Sequence, residues 1–471
     1  MNLVPESFDV VVIGGGPAGH QAAVQASKLG KRALMVEREA RIGGECVHRG
    51  TIPSKTLRES AVYWAGLRRR AAHVVPQGIG GQVLVQSLME RLDDVQHAHE
   101  GYLERQIKHG DITLRQGRAR FLSANEIEIT SVTGAKSVVR TEYVAIATGS
   151  RPRAPAEIAI DHDHIVDSDS ILSMIYLPTT MVVLGAGVIA SEFATIFQAL
   201  GVQVTMIDKS ERPLGFLDPE LSERFVRRFE RAGGTYLGGI KHKTVVRDEI
   251  AGVHVELTDG RKLLADHVLV ALGRTASVAG LNLPAAGVSV NERGFVAVDA
   301  NCCTSTPNIY AAGDVIGPPA LATSSMEQGR RAMRHAFGHE KSMPISTIPV
   351  GVYTIPEIAS VGLNEAEAIQ RFGSAVVGRA SFDEIARGHI NGETDGLLKL
   401  VCDPQGDRIL GAHVIGEGAT EIVHLAQMAI VGNLSVDVFV ENIFNFPTLA
   451  VAYRLAALDI VGQRNRMRVA I

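Results

Sequence analysis

Cysteine is scarce in this chain, and its four cysteines are poorly placed for binding a metal. Cys302 and Cys303 are adjacent, while Cys46 and Cys402 stand far from them, so no two cysteines have the spacing of a zinc site. The polar stretch at residues 161–164 contains aspartate and histidine, but no second cluster of ligands accompanies it. The sequence therefore predicts a loop at 161–164, reduced cysteines and no metal.

The chain also lacks a strong net charge and a targeting signal. Its formal charge is −4 over 471 residues, which gives no electrostatic reason to expect a nucleic-acid partner. Glu6 and Asp9 stand where a secretory signal would have a basic start, so a cytoplasmic protein is expected. Residues 177–191 are mostly apolar, but glycines interrupt them and Glu192 follows them. We interpret this stretch as strand, turn and helix, and we expect no membrane span.

The same local pattern occurs twice in a chain that is long enough for about three domains of roughly 150 residues each. Each copy is a buried strand, a glycine-rich turn, a helix and a second strand followed by an acid. The first turn is at residues 14–19 with the acid Glu37, and the second is at 185–190 with the acid Asp208. In both copies the acid follows the first glycine by 23 residues, close to the spacing of about 20 in a dinucleotide-binding fingerprint.

Each residue type in this pattern has a physical role in binding a dinucleotide. The first glycine permits the tight turn, the second lets the backbone approach a pyrophosphate, and a small third residue lets helix and strand pack closely. The helix N-terminus attracts the phosphates, and the acid accepts hydrogen bonds from ribose hydroxyls. A single glycine-rich turn is weak evidence, whereas two complete copies predict that two dinucleotides bind.

Five further motifs follow one another along the chain. They are Cys46–Lys55, Ala147–Gly149, Ala271–Arg274, Ala312–Asp314 and Tyr353–Glu357. Together with the two turns they resemble the pyridine nucleotide-disulfide oxidoreductases, the group of dihydrolipoamide dehydrogenase and glutathione reductase, over essentially the whole chain. The resemblance implies an α/β fold with two Rossmann-like dinucleotide-binding domains, for FAD and NAD(P), and a C-terminal α+β dimerisation domain.

The resemblance also implies a domain order and partners. The FAD-binding domain is expected at 1–151 and again at 276–342, with the NAD(P)-binding domain inserted at 152–275. The dimerisation domain is expected at 343–471 and implies a homodimer, with higher assembly left open. The expected small-molecule substrates are NAD(H) and NADP(H).

The family motifs imply a set of binding residues around two nucleotide sites. For FAD they are Gly14, Gly16, Gly19, Glu37, Cys46, Thr51, Lys55, Thr148, Gly149, Gly313, Asp314 and Ala322. For NAD(P) they are Gly185, Gly187, Ala190, Asp208, Gly273 and Arg274. Lys55 and Glu192 are implied as a catalytic ion pair beside flavin N5, where hydride passes.

Three positions depart from the disulfide reductases in the same direction. Thr51 replaces the second cysteine of the redox disulfide, and a threonine hydroxyl does not ionise near neutral pH. Phe446 stands where the family places its acid/base histidine, and Val451 replaces the glutamate that orients that histidine. Neither side chain transfers protons, so thiol–disulfide chemistry has lost its nucleophile and its base together.

This combination resembles the subgroup of soluble pyridine nucleotide transhydrogenases, which also have threonine at the position of Thr51 and an aromatic residue before the C-terminal Pro-Thr. That subgroup usually has tyrosine at the position of Phe446 and glutamate at that of Val451. The resemblance implies hydride exchange between NADPH and NAD+ through the flavin. Asp208 favours the free ribose hydroxyls of NAD, whereas the adjacent Lys209 could attract the 2′-phosphate of NADP.

Two other functions stay open on the sequence. An NAD(P)H oxidoreductase that passes electrons to a quinone, a dye or oxygen also needs no disulfide, and Phe446 and Val451 would make its acceptor cavity apolar. A flavin-binding subunit without turnover would explain the lost catalytic groups. The retained Lys55 and Glu192 argue against that last interpretation.

Overall fold

The first part of the chain builds a sheet around the first glycine-rich turn. The computed structural model of the protein describes residues 5–74, 85–339 and 347–469. The first elements are β1 (Glu6–Ile13), α1 (Pro17–Lys28), β2 (Ala33–Glu37), α2 (Gly44–His48), α3 (Thr51–Val74), α4 (Val85–His109), β3 (Thr113–Gln116), β4 (Arg118–Phe121), β5 (Glu126–Thr130) and β6 (Lys136–Ile146). The strands lie in the order β3-β2-β1-β6-β5-β4. Strand β1 is parallel to both β2 and β6, and its Val10–Ile13 segment is buried, as expected for a parallel sheet covered on both faces.

A second parallel sheet follows around the second glycine-rich turn. Its elements are β7 (Ser150–Pro152), β8 (Ile165–Asp167), β9 (Thr180–Leu184), α5 (Val188–Ala199), β10 (Gln203–Ile207), α6 (Pro219–Arg231), β11 (Thr235–Leu237), β12 (His242–Asp248), β13 (Gly252–Leu257), β14 (Lys262–Ala265), β15 (His267–Val270) and β16 (Arg274–Ala276). The parallel strands lie in the order β11-β10-β9-β15-β8, and β12, β13 and β14 form a separate antiparallel sheet. Strand β9 and helix α5 confirm the strand, turn and helix predicted for residues 177–191.

The chain then returns to the first sheet. Strand β17 (Ile309–Ala311) pairs in parallel with β6, and helix α7 (Ala322–Ala336) packs against α1. The chain leaves the first sheet through β7 and comes back through β16, and these two strands form an antiparallel ribbon between the two sheets. The second glycine-rich unit is therefore inserted into the first.

The C-terminal part is a sheet covered by helices. Its elements are β18 (Val350–Val352), β19 (Ile358–Gly362), α8 (Glu365–Phe372), β20 (Val376–Ser381), α9 (Ala386–Asn391), β21 (Leu397–Cys402), β22 (Ile409–Ile415), α10 (Ala419–Val431), α11 (Val438–Glu441) and α12 (Val451–Val469). The strands lie in the order β18-β19-β22-β21-β20, with antiparallel neighbours. The predicted boundary between residues 342 and 343 lies outside the described residues. The three units confirm the predicted fold class.

The 161–164 stretch and the apolar segments were also predicted from the sequence. Residues 161–164 form a loop, in which the Asp161 carboxylate accepts hydrogen bonds from the backbone N–H groups of Asp163, His164 and Ile165. This confirms the predicted loop. Of the helices in the described ranges, none combines the length and the apolar character that crossing a bilayer requires.

Charged side chains of α6 and of its N-cap residue Asp218 form ion pairs with the C-terminal unit. Lys399 Nζ lies 2.9 Å from Asp218 Oδ2 and 2.8 Å from Glu365 Oε2, and the Lys399 and Asp218 side chains are 4% and 1% exposed. Burial acts against both charges, but the hydrogen bond from Lys399 holds the pKa of Asp218 below its ordinary value, and the hydrogen bonds to Glu365 and Asp218 hold that of Lys399 above it. Outer pairs surround this centre, namely Arg228 with Glu393, Arg231 with Asp395, and Arg379 with Glu220.

Replacing Lys399 by methionine should destabilise the protein strongly, because Asp218 would be left buried without its cation. Breaking a buried pair from one side costs about 3–5 kcal/mol, so we expect a clear fall in the midpoint of thermal unfolding. Lys399→Met combined with Asp218→Asn should recover part of that loss, since no buried carboxylate is then left without its cation; Glu365, which also loses Lys399, is partly exposed. The matched control is Arg231→Ala, which breaks the exposed pair of Arg231 on α6 with Asp395 and should cost about 0–1 kcal/mol. Equal effects of Lys399→Met and Arg231→Ala would contradict this account.

Candidate functional site

A cavity of about 1690 Å³ connects the two glycine-rich turns. A pocket for one drug-sized ligand measures about 300–1,000 Å³, so this cavity can hold parts of two different dinucleotides at the same time. Its wall includes most of the predicted binding residues, namely Gly14, Gly16, Glu37, Cys46, Thr51, Lys55, Thr148, Gly149, Gly185, Gly187, Glu192, Asp208, Gly273, Arg274, Gly313, Asp314 and Ala322. The predicted residues Gly19 and Ala190 lie behind the wall, where they pack helix against strand.

The first turn has a backbone that only glycine fits at its start. Gly14 has a φ of +106°, and a Cβ there would lie 2.4 Å from the carbonyl oxygen of Ala147. A Cβ on Gly19 would lie 1.9 Å from the carbonyl oxygen of Gly14. Gly16 is the N-cap of α1, and no side chain of the described residues caps that helix. The first N–H groups of α1 are therefore available to an anion in the cavity.

The second turn repeats this geometry. Gly185 has a φ of +111°, and a Cβ there would lie 2.5 Å from the carbonyl oxygen of Ala271. Gly187 differs, because its φ is −77° and no described heavy atom lies within 4 Å of where a Cβ would stand. The protein itself therefore tolerates a side chain at Gly187, and only a bound ligand would need that space.

The two acids are held in place in the same way. Glu37 Oε2 accepts a hydrogen bond from the N–H of Gly15 at 2.6 Å, and Asp208 Oδ2 accepts one from the N–H of Ala186 at 2.9 Å. The other oxygen of each acid accepts from the N–H two residues further along, at 2.9 Å for Glu37 and 2.7 Å for Asp208. Each carboxylate oxygen keeps acceptor capacity for a ribose hydroxyl. Within the described ranges, the hydrogen bonds that orient both acids come from backbone N–H groups.

The predicted ion pair is formed where all three units meet. Lys55 Nζ on α3 lies 2.6 Å from Glu192 Oε2 on α5. The other oxygen of Glu192 accepts a hydrogen bond from the N–H of Tyr353, just after β18, at 2.9 Å. The Tyr353 ring centre lies 4.9 Å from Lys55 Nζ, within the range of a cation–π contact. Glu192 is only 5% exposed, so these contacts replace the water that would otherwise solvate its carboxylate.

A chain of hydrogen bonds connects the two predicted nucleotide sites. Arg274 Nε donates to Ser150 Oγ at 2.7 Å, and Ser150 Oγ donates to Asp314 Oδ2 at 2.7 Å. Arg274 also donates to the Ser150 carbonyl oxygen at 2.9 Å. Ser150 is buried between the predicted NAD(P) residue and the predicted FAD residue, so it couples their positions.

The part of the cavity next to the first turn fits FAD. The buried Thr148 hydroxyl has no hydrogen-bond partner among the described residues, so it is available to a ligand. Gly149 and Gly313 have φ values of +69° and +81°, which keep side chains out of this wall. Ala322 opens α7, and among the described residues no side chain caps that helix either. A polar, partly anionic group such as FAD satisfies all three features.

Cys46 lies in this wall as a free thiol beside Thr51. Burial raises the pKa of the Cys46 thiol, and a hydrogen bond with Thr51 and the charge of Lys55 offset this only in part. The thiol is therefore protonated near neutral pH. His48, close by, has Nε2 2.8 Å from the carbonyl oxygen of Ile42, which gives its ring a structural contact.

Phe446 and Val451 do not line the cavity of a single chain. The Phe446 side chain is 71% exposed, and Val451 opens α12 and packs against the C-terminal core. An acceptor cavity made apolar by these two residues is therefore not formed within the described residues of one chain.

Three residues near the site have contacts that the sequence analysis did not predict. They are Ser150, the backbone donor Tyr353, and Asp169. Burial and the charge of Glu45 raise the pKa of Asp169 to about 6, although Arg274 and Arg49 oppose the shift. Each of these roles depends on a residue far away in the chain. A local pattern could not have indicated them.

Comparison with known proteins gives two family matches. The model described as pyridine nucleotide-disulphide oxidoreductase matches residues 8–329, and that of the same family's dimerisation domain matches 348–457. A soluble pyridine nucleotide transhydrogenase from Mycobacterium bovis (strain BCG / Pasteur 1173P2) is 38% identical over 98% of each chain. One from Vibrio vulnificus (strain YJ016) is 39% identical over 96% of this chain and 97% of its own. These findings confirm the resemblance drawn from the motifs.

Solved structures give the same fold. LpdA from Mycobacterium tuberculosis has a TM-score of 0.88 and 27% identity, covering 96% of this chain and 99% of its own. The flavoprotein disulfide reductase RclA from Escherichia coli has a TM-score of 0.86 at 24% identity, over 96% of this chain and 99% of its own, and shows the fold alone.

Alanine at Gly185 and at Gly187 should have different effects, which separates the fold of the turn from ligand binding. Gly185→Ala should lower the midpoint of thermal unfolding, because the new Cβ meets a carbonyl oxygen at a positive φ. Gly187→Ala should leave that midpoint unchanged and weaken NAD+ binding at least about tenfold, since the backbone must approach a pyrophosphate. Thermal unfolding and NAD+ titration of the FAD-loaded variants measure both. Unchanged NAD+ affinity in Gly187→Ala would contradict the assignment of this turn.

Proposed function

This chain belongs to the pyridine nucleotide-disulphide oxidoreductase family, and we propose that it is a transhydrogenase that moves hydride from NADPH to NAD+. The family and the relatives make it an FAD-dependent oxidoreductase with pyridine nucleotides as substrates. Relatives named soluble pyridine nucleotide transhydrogenase, similar over nearly the full length of both chains, support the finer assignment. The observation that carries it is the cavity wall in which Cys46 has Thr51 as its neighbour in place of a second cysteine.

The residues of that wall limit the chemistry. A single thiol cannot store two electrons as an intramolecular disulfide, and Thr51 supplies no thiolate. When bound, FAD supplies the missing chemistry, because its flavin can accept hydride from one nicotinamide and return it to another. Cys46 is then a packing residue of the wall.

The chain itself contributes binding and orientation. We assign the first turn and Glu37 to the pyrophosphate and ribose of FAD, and the second turn and Asp208 to those of NAD(P). If the first turn binds FAD, the second turn is the only glycine-rich dinucleotide site within the described residues that remains for a pyridine nucleotide. NADPH and NAD+ would therefore occupy it one after the other, with release of the first product before the second substrate binds.

We assign the catalytic role to the ion pair of Lys55 and Glu192. Glu192 holds the Lys55 ammonium in the cavity wall, where it can stabilise negative charge that develops during transfer. Tyr353 orients the pair through its backbone N–H and its ring. The bonds from Arg274 through Ser150 to Asp314 keep the two nucleotide sites in a constant relative position, which favours a productive geometry.

A homodimer and a cytoplasmic location belong to the same proposal. Residues 348–457 match a dimerisation domain. Several of its apolar side chains are exposed in a single chain, among them Met428, Val431, Ile443 and Phe446. A second copy would remove this surface from water.

The proposal is tested by reducing the FAD-loaded protein with NADPH in a stopped-flow instrument and then offering NAD+, a quinone or oxygen. We expect NADPH to bleach the flavin absorbance rapidly, and NAD+ to restore it faster than the other acceptors. Faster reoxidation by a quinone or by oxygen would favour the acceptor-oxidoreductase function instead. Failure of both NADPH and NADH to bleach the flavin would indicate a flavin-binding subunit without turnover.

Lys55→Met and Cys46→Ser should separate the ion pair from the thiol. Lys55→Met should slow bleaching by NADPH about 100-fold, because a charged group aimed at the reacting centre is lost. Cys46→Ser should change that rate by less than about threefold, since a protonated thiol takes no part in the transfer. FAD content and the midpoint of thermal unfolding serve as controls for both variants. A severe loss in Cys46→Ser would overturn the assignment of Cys46 to packing.

A further inference from the structure

Beyond Asp208 the cavity is lined by basic side chains from two separate segments. Lys209 directly follows Asp208, and Lys241 and His242 stand at the start of β12. The acid that also lines this end is Glu157, whose side chain is largely exposed and lies 3.9 Å from His242 Nε2. The Glu211 carboxylate also lies near this end, beside Gly239, so the two lysines that line it, rather than an excess of positive charge, distinguish this region.

The backbone brings these two segments together. The N–H of Asp208 donates to the carbonyl oxygen of Leu237 at 3.1 Å, and the N–H of Ile240 donates to that of Asp208 at 3.0 Å. The carbonyl oxygen of Lys241 accepts from the N–H of Thr258 at 2.9 Å. Lys241 thus starts from a fixed backbone position beside Asp208, although the two residues are far apart in sequence.

The two lysines are available to a ligand. Lys209 and Lys241 are exposed, and in the described ranges neither ammonium has a carboxylate within 4.0 Å. Lys243, two residues beyond Lys241, is different. It pairs with Glu256 at 2.8 Å and does not line the cavity. Of these three lysines, the two without a carboxylate partner are therefore the two that border the nucleotide site.

Cations at this position would offset the repulsion between Asp208 and a nucleotide that carries a 2′-phosphate. Two backbone N–H groups hold its carboxylate at the ribose position, so it cannot easily move aside for a larger nucleotide. The 2′-phosphate of NADP would bring negative charge next to this carboxylate, and the two would repel each other. Positive groups on both sides of the phosphate would offset that repulsion.

We propose that Lys241, together with Lys209 and His242, forms the subsite for the 2′-phosphate of NADP(H). This inference rests on the proposed transhydrogenase function, which requires one site to accept both NAD(H) and NADP(H). The sequence indicates only Lys209, because it adjoins the acid, whereas the structure adds Lys241 and His242 from a different sheet. NAD lacks the 2′-phosphate that would contact them. Lys241 therefore determines specificity between the two nucleotides.

The test compares NADP+ and NAD+ binding to FAD-loaded wild type, Lys241→Ala and Lys243→Ala by isothermal titration calorimetry. Lys241→Ala should weaken NADP+ binding about tenfold, a typical effect of losing a charge-assisted contact, and leave NAD+ binding within about twofold. Lys209→Ala combined with Lys241→Ala should weaken NADP+ binding about 100-fold. Lys243→Ala, the matched control, should change neither affinity. Added salt should weaken NADP+ binding more in wild type than in Lys241→Ala.

The possible failures can be told apart. If wild type binds both nucleotides and Lys241→Ala binds NADP+ equally well, the 2′-phosphate subsite is wrong while the transhydrogenase proposal stands. Equal weakening of NADP+ and NAD+ binding in Lys241→Ala would also overturn the subsite, because Lys241 would then serve a group common to both. If wild type binds NAD+ but not NADP+, both the subsite and the transhydrogenase proposal fail.

Discussion

The arrangement of the cavity depends on one buried carboxylate, that of Glu192. One of its oxygens holds Lys55 from the first unit, and the other accepts the backbone N–H of Tyr353 from the C-terminal unit. Glu192 itself belongs to helix α5 of the inserted unit. Because a buried charge is costly without its partners, these contacts act together. The ion pair that we propose to be reactive is therefore also the junction of the three units.

The inserted unit is also held at two other places. The β7–β16 ribbon carries Ser150 and Arg274, which bond to each other and to Asp314. On another side, helix α6 is fastened to the C-terminal sheet by the buried pair of Asp218 and Lys399. A unit attached at several separate points resists rotation. The distance between the two glycine-rich turns is thus set before any nucleotide binds, which favours orientation of the reacting groups.

The sequence predicted those parts of the site that are local. The turn at Gly14 and the acid Glu37 lie within one strand–helix–strand unit, so their spacing alone indicates a dinucleotide site. Ser150 was not predictable, because its partner Asp314 lies 164 residues away and is chosen by tertiary packing. The same holds for Lys399, which is 181 residues from Asp218. Lys55 and Glu192, 137 residues apart, were indicated only through the family resemblance.

The way in which the backbone holds Glu37 and Asp208 has a kinetic consequence. A carboxylate that is already oriented needs no rearrangement to receive a ribose, so little reorganisation free energy separates the empty site from the filled one. For the proposed transhydrogenase, which would empty and refill a single site in every turnover, this orientation favours binding of the arriving nucleotide and does not help release of the departing one. In that proposed mechanism the release of the departing nucleotide would limit turnover, and the coenzyme that binds more tightly would be the stronger product inhibitor.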